Sequence, residues 1–197
     1  SYDTESASTQ IVPLIHDHTM VVSLQNGLDN IGKIEQHIGK KHILAGVTTH
    51  GALFSEPGTI THTGKGTTVV GELDGYPSAR LQTLVDVFNN SGIETQMSTE
   101  IIKEIWKKAI INSSINPLTA FLGCKNGYLL VNPLLEKIVE SVCRESCSIA
   151  SLNGIQVSSS GLIEKTKRVI RDTAHNFSSM LQSIQQGKKT EIESING

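Results

Sequence analysis

The sequence is poor in the features that mark secreted, membrane-spanning or nucleic-acid-binding chains. Cysteine is scarce: Cys124, Cys143 and Cys147 are the only three in 197 residues. An odd number in a chain without an export signal argues against a disulfide framework. Cys143 and Cys147 stand four apart on a predicted helix, yet no second pair or nearby histidine completes a tetrahedral zinc site. Buried thiols are therefore expected, and no metal. No apolar run reaches the roughly 18 residues of a membrane span, and Ser1 to Glu5 lack the basic start and apolar stretch of a signal peptide. The expectation is a cytoplasmic protein. Basic blocks are missing too: 17 Lys and Arg against 19 Asp and Glu give a net charge of −2, with the cations scattered. Neither a phosphate-backbone tracker nor an anionic-membrane binder is built that way.

Two phosphate-binding glycine patterns are also absent. No Gly-x-Gly-x-x-Gly occurs anywhere. Gly64-Lys65-Gly66 does not make a P-loop, because Gly58 lies one residue too far upstream and a glycine follows the lysine. It reads as a turn between strands.

What is present is a folded composition, 38% hydrophobic and 18% charged. Val21 to Gln25 reads as a buried strand stopped at Asn26-Gly27. Leu28, Ile31, Ile34 and Ile38 recur at helical spacing. The runs His42 to Phe54 and Thr59 to Leu73 read as strands, and Ile93 to Met97 as a last short one. Between them Leu81, Leu84, Val85 and Phe88 mark a helix over Ser78 to Asn89, with Gly92 as its C-cap. From Ser98 or Thr99 a long helix is expected to about Ile115. Further helices follow at Pro133–Leu152, closed by Asn153-Gly154, at Ser160–His175, and at Ser178–Gln186, closed by Gly187. The fold class is α/β followed by all-α, with domains at 1–97 and 98–197.

One helix carries polar residues where apolar ones belong. With Ile101 at zero and about 100° per residue, Lys108, Asn112 and Asn116 fall at about 340°, 20° and 60°, interleaved with Ile115, Ile105 and Ala109. Lys103, Ser114 and Lys107 occupy the opposite arc, the expected solvent face. Asparagine is a poor residue for a helix interior, and a buried amide without partners costs about 1–3 kcal/mol. On a bland reading Glu104 pairs with Lys108, the asparagines bond backbone, and Asn116 helps to end the helix before Pro117. On a functional one the stripe is a cleft wall offering one cation and two amides to a small molecule with a carbonyl and a carboxylate. Partial burial would then lower the lysine pKa.

The stretch Trp106-Lys107-Lys108-Ala109-Ile110-Ile111-Asn112-Ser113-Ser114-Ile115-Asn116-Pro117-Leu118-Thr119-Ala120 closely resembles the signature helix of ketopantoate reductases. That resemblance implies Lys108 as the catalytic lysine and Asn112 and Asn116 as substrate-binding residues. Lys125-Asn126-Gly127 resembles the family turn whose asparagine contacts substrate, although Asn126-Gly127 is also a good turn dipeptide by itself. Asn176-Phe177-Ser178-Ser179-Met180-Leu181-Gln182 resembles a family segment in which Asn176 and Ser179 would face the substrate; read locally it is an N-cap cluster. Thr190-Glu191-Ile192-Glu193-Ser194-Ile195-Asn196-Gly197 resembles the family ending whose first glutamate, here Glu191, lies near nicotinamide and substrate. Gln25-Asn26-Gly27-Leu28 and Thr48-Thr49-His50-Gly51-Ala52 resemble cofactor-facing segments, which implies Asn26 and Ala52 as cofactor contacts; His50 reads equally well as a structural histidine.

The resemblance further implies the C-terminal part of a Rossmann-like NADP-binding domain followed by a helical catalytic and dimer domain. NADPH would be the cofactor, 2-dehydropantoate the substrate and pantoate the product, and a homodimer is left open. It begins partway through the family's cofactor domain, so truncation at both ends and weak NADPH binding by these 197 residues are expected. Two other readings stand beside it: a relative reducing another 2-keto or imino acid, and a non-catalytic binding protein without the cofactor loop.

Overall fold

The computed structural model describes residues 2–197. The chain forms two compact units: residues up to Gln25 together with Asp29–Ile105, and Asn26–Leu28 together with Trp106–Gly197.

In the first unit, Ile43, Leu44 and Ala45 are fully buried. A strand apolar on consecutive residues must be covered on both faces, and β2 (Ile43–Thr48) is indeed internal to a four-stranded sheet. The sheet order is β1 (Val21–Ser23), β2, β5 (Thr68–Glu72), β6 (Thr95–Met97). It is mixed: β1 and β6 lie parallel to their neighbours, while β2 and β5 are antiparallel. Ile34 and Ile38 of α2 (Asn30–Ile38) cluster with Ile43, and Leu81, Leu84 and Val85 of α3 (Ala79–Asn90) cluster with Leu44 and Val70. Ser78 caps α3 by accepting the Leu81 N–H, and Gly92 follows with φ +81°.

Glu72, at the end of β5, is only 7% exposed. Its carboxylate accepts from Arg80 Nε at 2.7 Å and from the Ser78 hydroxyl at 2.5 Å, and it is paired with Arg80 Nη2. The Arg80 guanidinium also donates to the Lys41 and Ile43 carbonyls. Hydrogen bonding from Arg80 holds the Glu72 carboxyl below the ordinary carboxylate range, against the opposing effect of burial.

The structure corrects several element boundaries. Each of the two long strand runs is cut in two. The first becomes β2 and β3 (Gly51–Glu56), and the second becomes β4 (Thr59–Gly64) and β5. β3 and β4 pair only with each other, as a separate antiparallel hairpin. The cuts fall at Thr49-His50 and at Lys65-Gly66-Thr67, where the chain leaves one sheet for the other. Gly66 is required there: a Cβ on it would lie 2.4 Å from the Thr49 carbonyl carbon. Two helices carried no readable signal. In α1 (Thr4–Ile11) the buried residues are Thr4 and Ser8, so there is no apolar stripe, and Thr4 Oγ1 instead bonds Asn30 Oδ1 at 2.8 Å. The last helix, α8 (Ile192–Asn196), is little more than one turn.

The second unit is built around α4 (Ile101–Leu122). Its Ile110, Ile111 and Ile115 pack with Val139, Cys143, Cys147 and Ala150 of α5 (Pro133–Leu152) and with Leu162, Ile163 and Ile170 of α6 (Ser159–Asp172). Lys167 bridges Glu136 and Glu140 across α5 and α6 at 2.6 Å each. Cys143 and Cys147 are buried free thiols, and burial pushes Cys143 up to about 11.

Two expectations for α4 are overturned. It does not stop near Ile115 but runs through Pro117 to Leu122. A proline removes one intrahelical donor, and here Thr119 Oγ1 adds a hydrogen-bonding hydroxyl 3.0 Å from the carbonyls of Ile115 and Asn116. Nor is the arc of Lys103, Ser114 and Lys107 a solvent face. Ser114 is 0% exposed and the two lysines are half-buried. Its hydroxyl donates to the Ile110 carbonyl at 2.8 Å, so a serine can face packed helix without an unmet proton. No helix among the described residues is long and apolar enough to cross a membrane.

Candidate functional site

Lys108, Asn112 and Asn116 succeed one another at four-residue intervals on α4, each about 6 Å along the axis from the last. Lys108 and Asn112 are half-buried, and Asn116 is 7% exposed. Burial lowers the Lys108 pKa from the ordinary lysine value, and the negative charge of Glu191 partly restores it.

Glu191 is the residue before the first turn of α8. Its Oε2 accepts from Asn26 Nδ2 at 3.2 Å, and the Leu28 N–H donates to the Ser194 carbonyl at 3.2 Å. Asn26, Glu191 and Lys108 are therefore brought together from segments far apart in sequence. Along the chain, Asn26 comes three positions after Ser23, the last residue of β1.

Asn126 opens a short 3-10 helix, Asn126–Leu130. Its N–H donates to the Asn176 carbonyl at 3.0 Å, and the Gly127 N–H donates to the Ala174 carbonyl at 3.1 Å. The side chain is held as firmly. Thr173 gives its proton to the Val169 carbonyl at 2.7 Å, so its oxygen can only accept from Asn126, which fixes Nδ2 as the atom 2.9 Å away. Asn126 Oδ1 is left buried with no hydrogen-bond partner. A buried acceptor of this kind is satisfied by an ordered water or by a ligand donor.

Gly127 has no positive φ, so its place here is not explained by turn conformation. A Cβ on it would meet Ala174 Cβ at 2.8 Å and the Ala174 carbonyl oxygen at 3.0 Å. Gly127→Ala is expected to destabilise the protein by about 1–3 kcal/mol through overpacking. A wild-type denaturation midpoint for the variant would refute the close approach.

Asn176 and Ser179 are both exposed, with Ser179 the first residue of α7 (Ser179–Gln185). The buried hydroxyl of this segment is Ser178, the N-cap, which accepts from the Leu181 N–H at 3.2 Å. Ala52 lies in the first unit, exposed on β3 opposite His62. His50 Nδ1 is 3.1 Å from His62 Nε2 and accepts from the Gly66 N–H at 3.3 Å. Sequence reasoning missed Thr119 and Thr173. Thr119 sits inside the quoted motif but suggested no role, and Thr173 carries no local signal. Among the described residues no group of three or more His, Cys, Asp or Glu could hold a metal ion.

The arrangement offers a half-buried ammonium, a facing carboxylate and a row of amides. That set can bind a small polar anion and pass a proton to one of its oxygens.

Two family models match the chain. One, described as ketopantoate reductase PanE/ApbA, covers residues 1–75, and the other, described as its C terminal, covers residues 100–197. A 2-dehydropantoate 2-reductase of Pyrococcus horikoshii is 40% identical over 200 residues, taking in 100% of this chain and 64% of that protein. One of Halobacterium salinarum is 36% identical over 197 residues, with the same coverage of 100% and 64%. The chain thus spans 64% of the length of these relatives. Among solved structures, a D-mandelate dehydrogenase with NADH superposes with a TM-score of 0.94 at 26% identity, covering 100% of this chain and 67% of that one. A PanE/ApbA family ketopantoate reductase from Ralstonia eutropha gives 0.89 at 25% identity, covering 100% and 64%.

Proposed function

Because the chain belongs to the ketopantoate reductase family, we propose that it serves an NADPH-dependent reduction of 2-dehydropantoate to pantoate, the keto-acid step of pantothenate synthesis. The observation that carries this reading is Lys108: a half-buried lysine of lowered pKa, facing Glu191 at the head of the Asn112 and Asn116 stripe.

The residues present fit the nicotinamide end of such a cofactor. Asn26 and Glu191 form a polar pair, and the charge of Glu191 acts on Lys108. Ala52 is the further contact we assign to the cofactor. The bound nicotinamide supplies a hydride to the keto carbon. Lys108 donates a hydrogen bond to the keto oxygen, stabilises the negative charge that grows there and gives that oxygen its proton. Glu191 favours the charged form of Lys108 before the transfer. Asn112 and Asn116 orient the substrate with their amides, and Asn176 and Ser179 hold its far end.

Asn126 narrows the substrate class. Its orphan Oδ1 is an acceptor, and it is matched by a substrate hydroxyl, not by a carboxylate or a hydrocarbon. A keto acid that carries a hydroxyl, as 2-dehydropantoate does, satisfies it. The likeness to a D-mandelate dehydrogenase favours a second reading, a reductase of an aromatic keto acid, which leaves that acceptor unmet.

The test is a comparison of kcat/KM on the intact protein for 2-dehydropantoate, for shorter keto acids without a hydroxyl and for an aromatic one, each with NADPH and with NADH. The expected result is a preference for 2-dehydropantoate with NADPH. Sites that hydrogen-bond a substrate hydroxyl reject analogues lacking it by up to about 10⁴-fold. A preference for the aromatic acid installs the second reading instead.

A further inference from the structure

Beyond Pro117, α4 carries a side chain to which the reaction above gives no part. Thr119 is 0% exposed, and its hydroxyl is 2.7 Å from Ser178 Oγ, 59 residues further along the chain. The same oxygen lies 3.0 Å from the carbonyls of Ile115 and Asn116. Ser178, 5% exposed, caps α7 by accepting the Leu181 N–H at 3.2 Å. One hydroxyl therefore touches both the backbone of Asn116, the last amide of the stripe, and the cap of the helix that begins with Ser179.

A threonine bonding only its own i−4 carbonyl has a purely local role. The contact with Ser178 is not local, and it is the only side-chain partner Ser178 has among the described residues. The other flank of the same segment is already fixed by the bonds from Asn126 to Asn176 and from Gly127 to Ala174. Fastened on both flanks, residues 173–179 have little freedom to shift against α4.

We infer that Thr119 is a positioning residue. Its hydroxyl sets the start of α7, and with it Asn176 and Ser179, in register with Asn116. The inference rests on the proposed function for its catalytic meaning, while the hydroxyl link itself is structural. Positioning matters because small misplacements of binding groups cost rate out of proportion to their size.

Thr119→Val keeps the shape and removes the hydroxyl, whereas Thr119→Ser keeps the hydroxyl and removes a methyl group. In the intact protein Thr119→Val is expected to lower kcat/KM for the keto acid at least about tenfold, mainly in kcat, with the KM for NADPH within about twofold of wild type. Thr119→Ser restores most of the loss. A second readout needs no substrate: hydrogen exchange at the Leu181 amide quickens at least about tenfold in Thr119→Val and not in Thr119→Ser. Unchanged Leu181 exchange in Thr119→Val overturns the link, whatever the enzyme reduces. Faster exchange with wild-type kcat and KM overturns the positioning role. Faster exchange in a protein whose wild type turns over no keto acid supports the link and overturns the proposed function instead. Should Thr119→Val not accumulate as folded protein, Thr119→Ala removes the same hydroxyl from a smaller side chain and leaves the Ser178 cap in place, and it is read the same way.

Discussion

Replacing Lys108 with alanine in the intact protein is expected to lower kcat by roughly a hundredfold to ten-thousandfold, the range for loss of a positioned general acid. The KM for NADPH should change little, because the lysine acts on the keto oxygen and its charge is most needed when that oxygen becomes negative. Loss in kcat and in kcat/KM together is the signature of a contact made only in the transition state. Steady-state rates near those of the wild type would remove Lys108 from the chemistry. The same residue carries a stability prediction of opposite sign. Burial lowers its pKa in the folded protein, so between the folded and unfolded values the unfolded chain holds the extra proton and stability rises with pH. Wherever pH lies below the folded value, the native state bears the full cost of a desolvated ammonium. Lys108→Met removes that cost and keeps the aliphatic stem, so its Tm at neutral pH should exceed that of the wild type while activity is lost. A lower Tm would mean that the interactions of the ammonium outweigh its desolvation.

Arg80→Ala should have the largest effect on folding. Glu72 is nearly buried, and Arg80 supplies its closest charge-assisted hydrogen bonds. Removing one partner of a buried pair typically costs about 3–5 kcal/mol. The Arg80 side chain is 30% exposed, which places the expectation near about 3 kcal/mol. The pH dependence follows from the depressed Glu72 pKa. The stabilisation is fully present above the unfolded carboxylate value and disappears as pH falls through the folded one. Chemical denaturation should show a wide gap between variant and wild type at neutral pH, closing in acid. A gap that stays constant across that range would mean that Arg80 acts through packing and not through Glu72.

The core strands and most helices were legible because periodicity and caps are local. Pro133–Leu152 has its proline at the first helical position and a glycine of φ +78° after its end, and the structure keeps those limits. Strand exchange between sheets was not legible. Whether β3 continues β2 or pairs with β4 depends on partners that one run of residues does not specify, and only the packing of Gly66 on Thr49 shows why the break falls where it does. The helical wheel of α4 grouped Lys108, Asn112 and Asn116 correctly as neighbours, since spacing alone determines that. It erred on Ser114 because a wheel ranks faces relative to one another and α4 has no wet face to serve as the reference. The Asn26 to Glu191 contact spans 165 residues. Resemblance had named both residues, but no pattern in the sequence joined them.

Through the first 20 of its 22 residues, α4 has no position that is fully exposed. Surface substitutions usually shift stability by no more than about 0.5 kcal/mol, whereas packed positions lose several times that. A helix wrapped in this way has almost no silent sites on which sequence can drift. Its side chains can change only in compensated sets, so this segment should diverge more slowly than α1 or the β3–β4 hairpin even at positions that never meet a ligand. With so little open surface, the helix should keep its sequence longer than its surroundings, as a record of ancestry as well as a wall of the site.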